Sequence, residues 1–287
     1  MEKAFFKIIF LMIFISLVSS CEEEEITMPA ILIDHTCTKL NEIPVEWINN
    51  AKANLHIAYG HTSHGSQLIT GMDVIMENIG EPFQWNYGSL EGSLDIRDGL
   101  LSDDLGHSGD LKWASTTRSA LGDPRLSDIN VIIWSWCGGV SDNTEEGIKV
   151  YLEAMNKLEG EHPDVKFVYM TGHLDGTGEP GNLHNRNEQI RKYCKENNKI
   201  LYDFADIESY DPDGIYYLDK MANDSCYYDS DGNGSLDKNW ALDWQNTHTE
   251  GEDWFNCSPA HTQALNGNLK GYAAWWLWAR LAGWDGN

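Results

Sequence analysis

The stretch Asn130-Val-Ile-Ile-Trp-Ser-Trp136, which runs straight into Cys137-Gly138-Gly139, decides the fold of this 287-residue chain. A short apolar run that ends at glycines is typical of a strand buried on both faces of a parallel sheet. Thr144 then supplies an N-cap for a helix predicted over residues 144–158. A buried strand, a glycine turn and a helix make up the first part of a βαβ unit, so the sequence predicts an α/β fold.

The same alternation of strand and helix extends in both directions along the chain. Further strands are predicted over residues 54–59, 82–87, 165–171 and 199–204, and further helices over residues 68–79, 183–197 and 269–281. Such spacing favours parallel strands with helices on both faces. We therefore predict a three-layer α/β/α fold with about five parallel strands. Residues 88–127 are expected to be rich in loops, and residues 207–256 to form an irregular insertion before the last helix.

The composition excludes several classes of partner. The chain has 20 Lys and Arg against 45 Asp and Glu, a formal net charge of −25. Nucleic acids need clustered basic residues, and anionic membrane surfaces repel an acidic protein. A hydrophobic content of 41% with 12 Trp and 12 Tyr excludes a disordered chain. Neutral substrates such as glycans remain open, because aromatic faces suit sugars.

The N-terminus has the features of a targeting segment. Residues 1–20 form a basic start and a short apolar stretch, which is typical of a signal peptide. The stretch ends in a lipobox-like sequence before Cys21, which we expect to be lipidated, followed by an acidic tether over residues 21–30. Residues 31–287 would then form one exported domain at the outer membrane or cell surface, held there only by the lipid. The alternative is an ordinary secretory signal with an incidental cysteine.

Polar, glycine-rich segments follow three of the predicted strands. In the segment over residues 60–66, Ser63 lies on a strand-to-helix turn, where a nucleophile could use its own N–H to hold an oxyanion. His261 lies just before the last helix and could act as its base. His173 and Asp175 follow another strand and are expected to line the same pocket. The alternative for Ser63 is a plain helix cap, and for the segment around His173 a capped turn.

Taken together, His61-Thr62-Ser63-His64-Gly65 and the block His261, Asn266 and Gly271 resemble the SGNH/GDSL hydrolase superfamily. The resemblance covers residues 54–206 and 257–283. It implies a flavodoxin-like sheet and a carboxylester hydrolase with Ser63 as nucleophile and His261 as base, without a catalytic cofactor. The substrate class it suggests is an acetylated polysaccharide or another glycan or small-molecule ester.

The sequence departs from the family pattern at two places. The family's acid lies three residues before the histidine, where this chain has Ser258. Asp253, Asp206 or Asp175 could replace it, or a Ser–His dyad could suffice. The family's asparagine after the third strand is also missing, so the oxyanion donors would be backbone N–H groups. The candidates for this role are Gly106 or Gly109, and Gly138 or Gly139, and His64 is a further substrate-binding candidate.

Metal binding is a separate hypothesis. His61 and His64, with His107 and Asp110, could hold zinc, which would make the protein a metal-dependent hydrolase. A second candidate resembles a calcium loop, and its ligands would be Asp229, Asp231, Asn233 and Asp237. Calcium there would order the insertion, and the alternative is a turn rich in Asp and Asn. A third functional hypothesis is a non-catalytic glycan-binding lipoprotein on the same fold.

Overall fold

A parallel sheet of seven strands lies at the centre of the protein, whose computed structural model describes residues 29–287. The strands are β1 (Ile31–Ile33), β2 (His56–Gly60), β3 (Trp85–Asn86), β4 (Leu94–Leu101), β5 (Val131–Trp134), β6 (Lys166–Met170) and β7 (Ile200–Tyr202). Their order across the sheet is β1-β7-β6-β5-β2-β4-β3. The five inner strands follow the flavodoxin-like order. The count exceeds the expected five because β1, at one edge of the sheet, and β4, next to β2, were not predicted.

Helices cover both faces of the sheet and complete the predicted α/β/α sandwich. They are α1 (Val45–Asn54), α2 (Ser66–Asn78), α3 (Lys112–Leu121), α4 (Glu145–Glu161), α5 (Asn182–Glu196), α6 (Phe204–Ile207), α7 (Trp240–Gln245) and α8 (Ala264–Leu281). Helices α1 and α2 pack against α8 on one face, and α3, α4 and α5 pack side by side on the other. Within residues 29–287, no helix is both long and apolar enough to cross a membrane. The expected signal peptide and the lipidated Cys21 lie outside the described residues.

The segment over residues 88–127 is more ordered than the sequence suggested, since it contains β4 and α3. Charged residues interrupt the apolar pattern of β4, which is why no strand was predicted there. Asp95 and Arg97 are nevertheless buried, and the Arg97 guanidinium lies 3.0 Å from the Asp95 carboxylate. It also pairs with Asp128. Because the charges neutralise each other, the strand can pass through the interior.

Helices α2 and α8 cross with their backbones in direct contact. A Cβ atom at Gly71 in α2 would lie 2.0 Å from the carbonyl oxygen of Gly267 in α8. A Cβ at Gly271 would in turn lie 2.4 Å from the carbonyl carbon of Gly71. Only glycine permits this approach. The crossing fixes the loops that precede both helices, and these loops carry the residues predicted for the site.

The segment over residues 207–256 is largely irregular, as predicted, and lies against the carboxyl ends of the strands. It contains the small hairpin of β8 (Tyr227–Tyr228) and β9 (Lys238–Asn239) and the short helix α7. An isolated bridge pairs Asn223 with Asp175 in the loop after β6. This bridge brings the neighbouring Asp224 to the edge of the sheet where the loops after β2 and β5 meet.

Candidate active site

The candidate site lies where the sheet changes direction. Strands β2 and β5 are neighbours in the sheet, although β3 and β4 separate them in sequence. The loops that leave their carboxyl ends diverge to opposite faces, and such a switch point opens a crevice where ligands bind in α/β proteins. Ser63 and His64 come from the loop after β2, and Cys137 comes from the loop after β5. The fold therefore brings together side chains that are more than 70 positions apart.

Cys137 is a free, half-buried thiol at the centre of this group. Its Sγ lies 3.1 Å from the Ser63 Oγ and 3.2 Å from the His64 Nδ1. Burial alone would raise the pKa of the Cys137 thiol. Hydrogen bonds from the Ser63 and Thr62 side chains and from the side chain and backbone of His64 together outweigh burial and lower that pKa to about 7. A substantial fraction of the thiol is thus a thiolate near neutral pH, and the thiolate is the nucleophilic form.

The second ring nitrogen of His64 is hydrogen-bonded to a carboxylate. The His64 Nε2 lies 3.0 Å from Oδ2 of Asp224. Burial lowers the pKa of His64, but its bonds to Asp224 and Cys137 have the larger combined effect and raise it above the ordinary value. The pKa of Asp224 is shifted down despite burial, because its carboxylate bonds His64. Cys137, His64 and Asp224 therefore have the order of a nucleophile, a base and the acid that orients the base.

The His64 imidazole of this Cys137–His64–Asp224 relay is the middle ring in a stack of three. The His64 ring lies between His173, at 3.6 Å between ring centroids, and His261, at 4.4 Å. Burial lowers the pKa of His173, which favours its neutral form. His261 is exposed and has a left-handed backbone with φ 64°. A non-glycine residue in that region is strained, and such strain is concentrated at functional sites.

Residues that contact or adjoin Cys137 supply backbone N–H groups that could hold an oxyanion. Within the described part of the chain, the N–H groups of Ser63 and Gly138 have no hydrogen-bond acceptor. The Gly106 N–H, in contrast, donates to the Asp104 carboxylate at 2.7 Å and is engaged within its own loop. Gly138 has φ 93°, a backbone conformation that would be strained for a residue with a side chain. The Gly139 N–H also has no acceptor among the described residues, so Ser63, Gly138 and Gly139 are the available donors.

The pairing predicted between Ser63 and His261 is not made directly. The Ser63 hydroxyl faces Cys137, and no hydrogen bond joins it to His261 within residues 29–287. The two are connected only through His64, which lies next to Ser63 in the chain and stacks against His261. The Ser–His couple stays a prediction.

The proposed triad acids lie elsewhere. Asp253 accepts the Thr249 N–H at 2.8 Å in its own loop. Asp206 bonds the His35 side chain and backbone, and Asp175 caps Thr177. None of these three carboxylates bonds a histidine of the candidate site, whereas Asp224, which the sequence did not single out, does.

The candidate zinc ligands point in different directions. His61 bonds Asp98 through Nε2 and the Thr62 carbonyl through Nδ1, away from His64. His64, Asp224 and His261 are closer together, with one ligand-capable atom of each within 4.8 Å of the others. The His64 and His261 rings are, however, only 14° from parallel. A metal binds in the plane of each imidazole, so stacked rings do not converge on one ion, and the set fits a proton relay better than a metal centre.

The candidate calcium loop forms a turn. The Asp229 carboxylate accepts the backbone N–H groups of residues 231–234, the shortest at 2.7 Å from Gly234. Asp237 accepts the backbone N–H and the hydroxyl of Ser230. Asp231 and Asn233 bond backbone N–H groups two residues further on. The oxygens of the loop thus satisfy its own backbone, and calcium binding stays a prediction.

A cavity of about 720 Å³ opens on the face of the sheet that α8 covers. Its wall includes Trp244, Phe255 and Tyr272, and its rim carries Asp213 and Asp253. Trp244 donates its indole N–H to Asp213 at 3.1 Å. The side chains of the Cys137 relay do not line this cavity. It is therefore a second feature of the surface, distinct from the candidate active site.

Comparison with known proteins adds no assignment. No family model matches the chain, and no curated protein is significantly similar to it. The SGNH/GDSL resemblance therefore rests on the sequence motifs alone.

Proposed function

We propose that the protein is a carboxylester hydrolase that acts through a covalent acyl-enzyme, with Cys137 as nucleophile, His64 as acid and base, and Asp224 orienting His64. The observation that carries the proposal is the chain of contacts from the Cys137 thiol through the His64 imidazole to the Asp224 carboxylate, at 3.2 Å and 3.0 Å. A low thiol pKa and a carboxylate-held imidazole are the two features that activate cysteine nucleophiles.

The reaction follows from these roles. The Cys137 thiolate attacks the ester carbonyl and forms the S–C bond, while the N–H groups of Ser63 and Gly138 hold the oxyanion. The C–O bond to the alcohol then breaks, and the protonated His64 gives its proton to the leaving alkoxide. Water attacks the thioester as neutral His64 takes one of its protons. The carboxylic acid leaves and the thiolate and imidazolium are restored, so atoms and protons balance.

The substrate class follows from charge and composition. A chain of net charge −25 repels acidic polymers, so neutral esters fit it better. The lipobox-like sequence at Cys21 and the glycine, serine and histidine motif point to an exported enzyme that removes acetyl groups from a surface glycan. This part of the proposal rests on the resemblance.

Hydrolysis of an aryl acetate by the purified protein tests the proposal. Cys137→Ala removes the nucleophile and is expected to reduce kcat by at least about 10³-fold. Cys257→Ala is the matched control, because Cys257 is also a half-buried free thiol but lies outside the relay. Wild-type activity in Cys137→Ala would remove the thiol from the mechanism.

Ser63 as nucleophile with His261 as base is the second candidate. The Ser63 hydroxyl is half-buried at the same switch point, and its N–H has no acceptor in the described structure. Here Ser63→Ala and His261→Ala would abolish hydrolysis, while Cys137→Ala would only weaken it. The same assay therefore separates the two nucleophiles.

Glycan binding without catalysis is favoured by the aromatic cavity at Trp244. Its carboxylate rim and aromatic wall suit neutral sugars, since hydroxyls donate to carboxylates and sugar faces pack on aromatic rings. An inactive wild type that binds neutral oligosaccharides, with binding lost in Trp244→Ala, would support this function over hydrolysis.

A further inference from the structure

A fully buried ion pair lies between the last helix and the loops of the candidate site. The side chains of Lys270 in α8 and Glu208 after α6 are 0% and 1% exposed and contact each other through Nζ and Oε1. The Lys270 ammonium also contacts the Gln67 side chain and lies 3.7 Å from the centre of the Phe204 ring. The mechanism proposed above does not use either charge. A buried pair is costly to desolvate and is often replaceable by apolar residues without loss of stability, so its presence calls for another explanation.

The acidic partner holds one side of the imidazole stack. The second carboxylate oxygen of Glu208 accepts the Leu174 N–H at 2.8 Å. Leu174 directly follows His173, and its carbonyl accepts the N–H of Asp224 at 3.1 Å. Glu208 thereby fixes the loop after β6, which carries His173, and through Leu174 the backbone of Asp224.

Lys270, the basic partner, acts on the other side of the imidazole stack. Gln67, whose side-chain oxygen contacts Lys270, donates its amide N–H to the Ala260 carbonyl at 2.6 Å. Ala260 directly precedes His261. Gln67 itself lies in the first turn of α2, three residues after His64. Lys270 thereby connects α8 to the segments that carry both of these histidines.

We propose that the Lys270–Glu208 pair is a positioning device, which sets the His173–His64–His261 stack and the Asp224 backbone from beneath the site. The assignment rests on the proposed function, since the stack is taken as the catalytic base and its neighbours. Lys270, Glu208 and Gln67 act through other residues and need not touch the substrate. A shift of about 1 Å in such a stack can cost about 10²-fold in rate.

The test compares Glu208→Gln, Lys270→Met and the double variant Glu208→Gln/Lys270→Met. Each single variant leaves one buried group without its charged partner and is expected to lower Tm. The double variant removes both charges and is expected to regain most of that Tm. We expect kcat for the aryl acetate to remain about 10- to 100-fold below wild type in the double variant, with KM little changed. The alkylation rate of Cys137 at pH 7, which needs no ester turnover, should fall as well.

A buried ion pair elsewhere supplies the control. Asp95 and Arg97 lie near the amino end of β4, whereas the site lies at the carboxyl ends of the strands. Their side chains are 3% and 9% exposed. Asp95→Asn should lower Tm without changing Cys137 alkylation. The proposal is overturned if kcat and alkylation in the double variant return to wild type together with Tm, because the pair would then be structural only. A change in alkylation without any esterase activity in wild type would retain the positioning role and reject the hydrolase.

Discussion

Cys137 and Cys257 are both half-buried free thiols, yet their surroundings move their pKa values in opposite directions. Burial dominates at Cys257 and raises its pKa to about 11. At Cys137 several donors, among them Ser63 and His64, overcome burial, and the pKa is about 7. A thiol is thus made reactive by the two or three donors around it. Cys257 has one such donor, the Asn268 side-chain amide at 3.4 Å, which does not outweigh burial, and it behaves as a small apolar residue.

The first prediction concerns alkylation by iodoacetamide. The folded-state pKa of Cys137 is lowered, so its thiolate forms as pH rises through about 7, whereas that of Cys257 forms near 11. Since a thiolate of low pKa is also a weaker nucleophile, the net advantage of Cys137 at pH 7.5 should be about 10- to 100-fold. Mass spectrometry of the labelled peptides between pH 5 and pH 9 measures both rates. Equal rates at the two cysteines would contradict the assignment.

The second prediction concerns the carboxylate of the relay. Asp224→Asn keeps the side-chain shape but can no longer hold His64 as an imidazolium, so kcat should fall by about 10²- to 10⁴-fold. Asp237→Asn, in the same irregular segment, affects only a turn with Ser230 and should leave kcat unchanged. Steady-state hydrolysis of the aryl acetate compares the two variants. Similar activity in both would mean that Asp224 has no part in catalysis.

Part of the site could be predicted from the sequence, because it lies in the turns after apolar strands. Ser63, His64 and His173 attract notice there through their neighbouring glycines and the strand before them. Cys137 follows such a strand too, but a single cysteine has no spacing that indicates chemistry. Asp224 is one carboxylate among the 45 acidic residues of the chain, and tertiary contacts of the Asn223–Asp224 backbone with Asp175 and Leu174 bring it to the site.

At the scale of elements, the predictable strands are those whose apolar runs are continuous. Residues 131–134 and 166–170 form strands inside the predicted ranges, because central parallel strands are buried on both faces. β4 was missed because Asp95 and Arg97 interrupt its pattern, and their mutual neutralisation depends on a tertiary contact. Local sequence therefore predicts strands whose apolar pattern is complete in itself. It fails for strands such as β4, whose buried charges are neutralised by a residue from elsewhere in the chain.

The third prediction concerns the crossing of α2 and α8. Gly71→Ala would place a methyl group 2.0 Å from the Gly267 carbonyl oxygen, so the helices must separate. Overpacking of this kind costs about 1–3 kcal/mol in the free energy of unfolding. Gly160→Ala, in α4, is the control, since a Cβ there meets no atom within 4 Å. It should stabilise the protein by about 0.5–1 kcal/mol, and chemical denaturation compares the two.

At the scale of the whole molecule, the carboxylates outnumber the basic groups and repel one another. The net charge of −25 destabilises the compact state, and salt screens charges more than about 8 Å apart at 0.15 M. The fourth prediction is that Tm rises between 10 mM and 300 mM NaCl. Calorimetry measures the shift, and sodium sulfate should be avoided because it stabilises proteins by exclusion as well. A Tm that falls with salt would show that attractive ion pairs outweigh the repulsion.

The crossing of α2 and α8 also bears on how the protein is made. A ribosome completes residues 64 and 137 long before residue 224, and it completes α8 after all three. Until α8 is available, Gly71 lacks its partner helix and Gln67 lacks Lys270. The loop that carries His64 then keeps its contacts with the sheet, such as the Tyr59 hydroxyl on the Gly65 carbonyl, but loses those with α8. A chain that lacks α8 would therefore hold the loop of His64 through fewer contacts. The Cys137, His64 and Asp224 side chains are thus held by their full set of contacts only after α8 has been made.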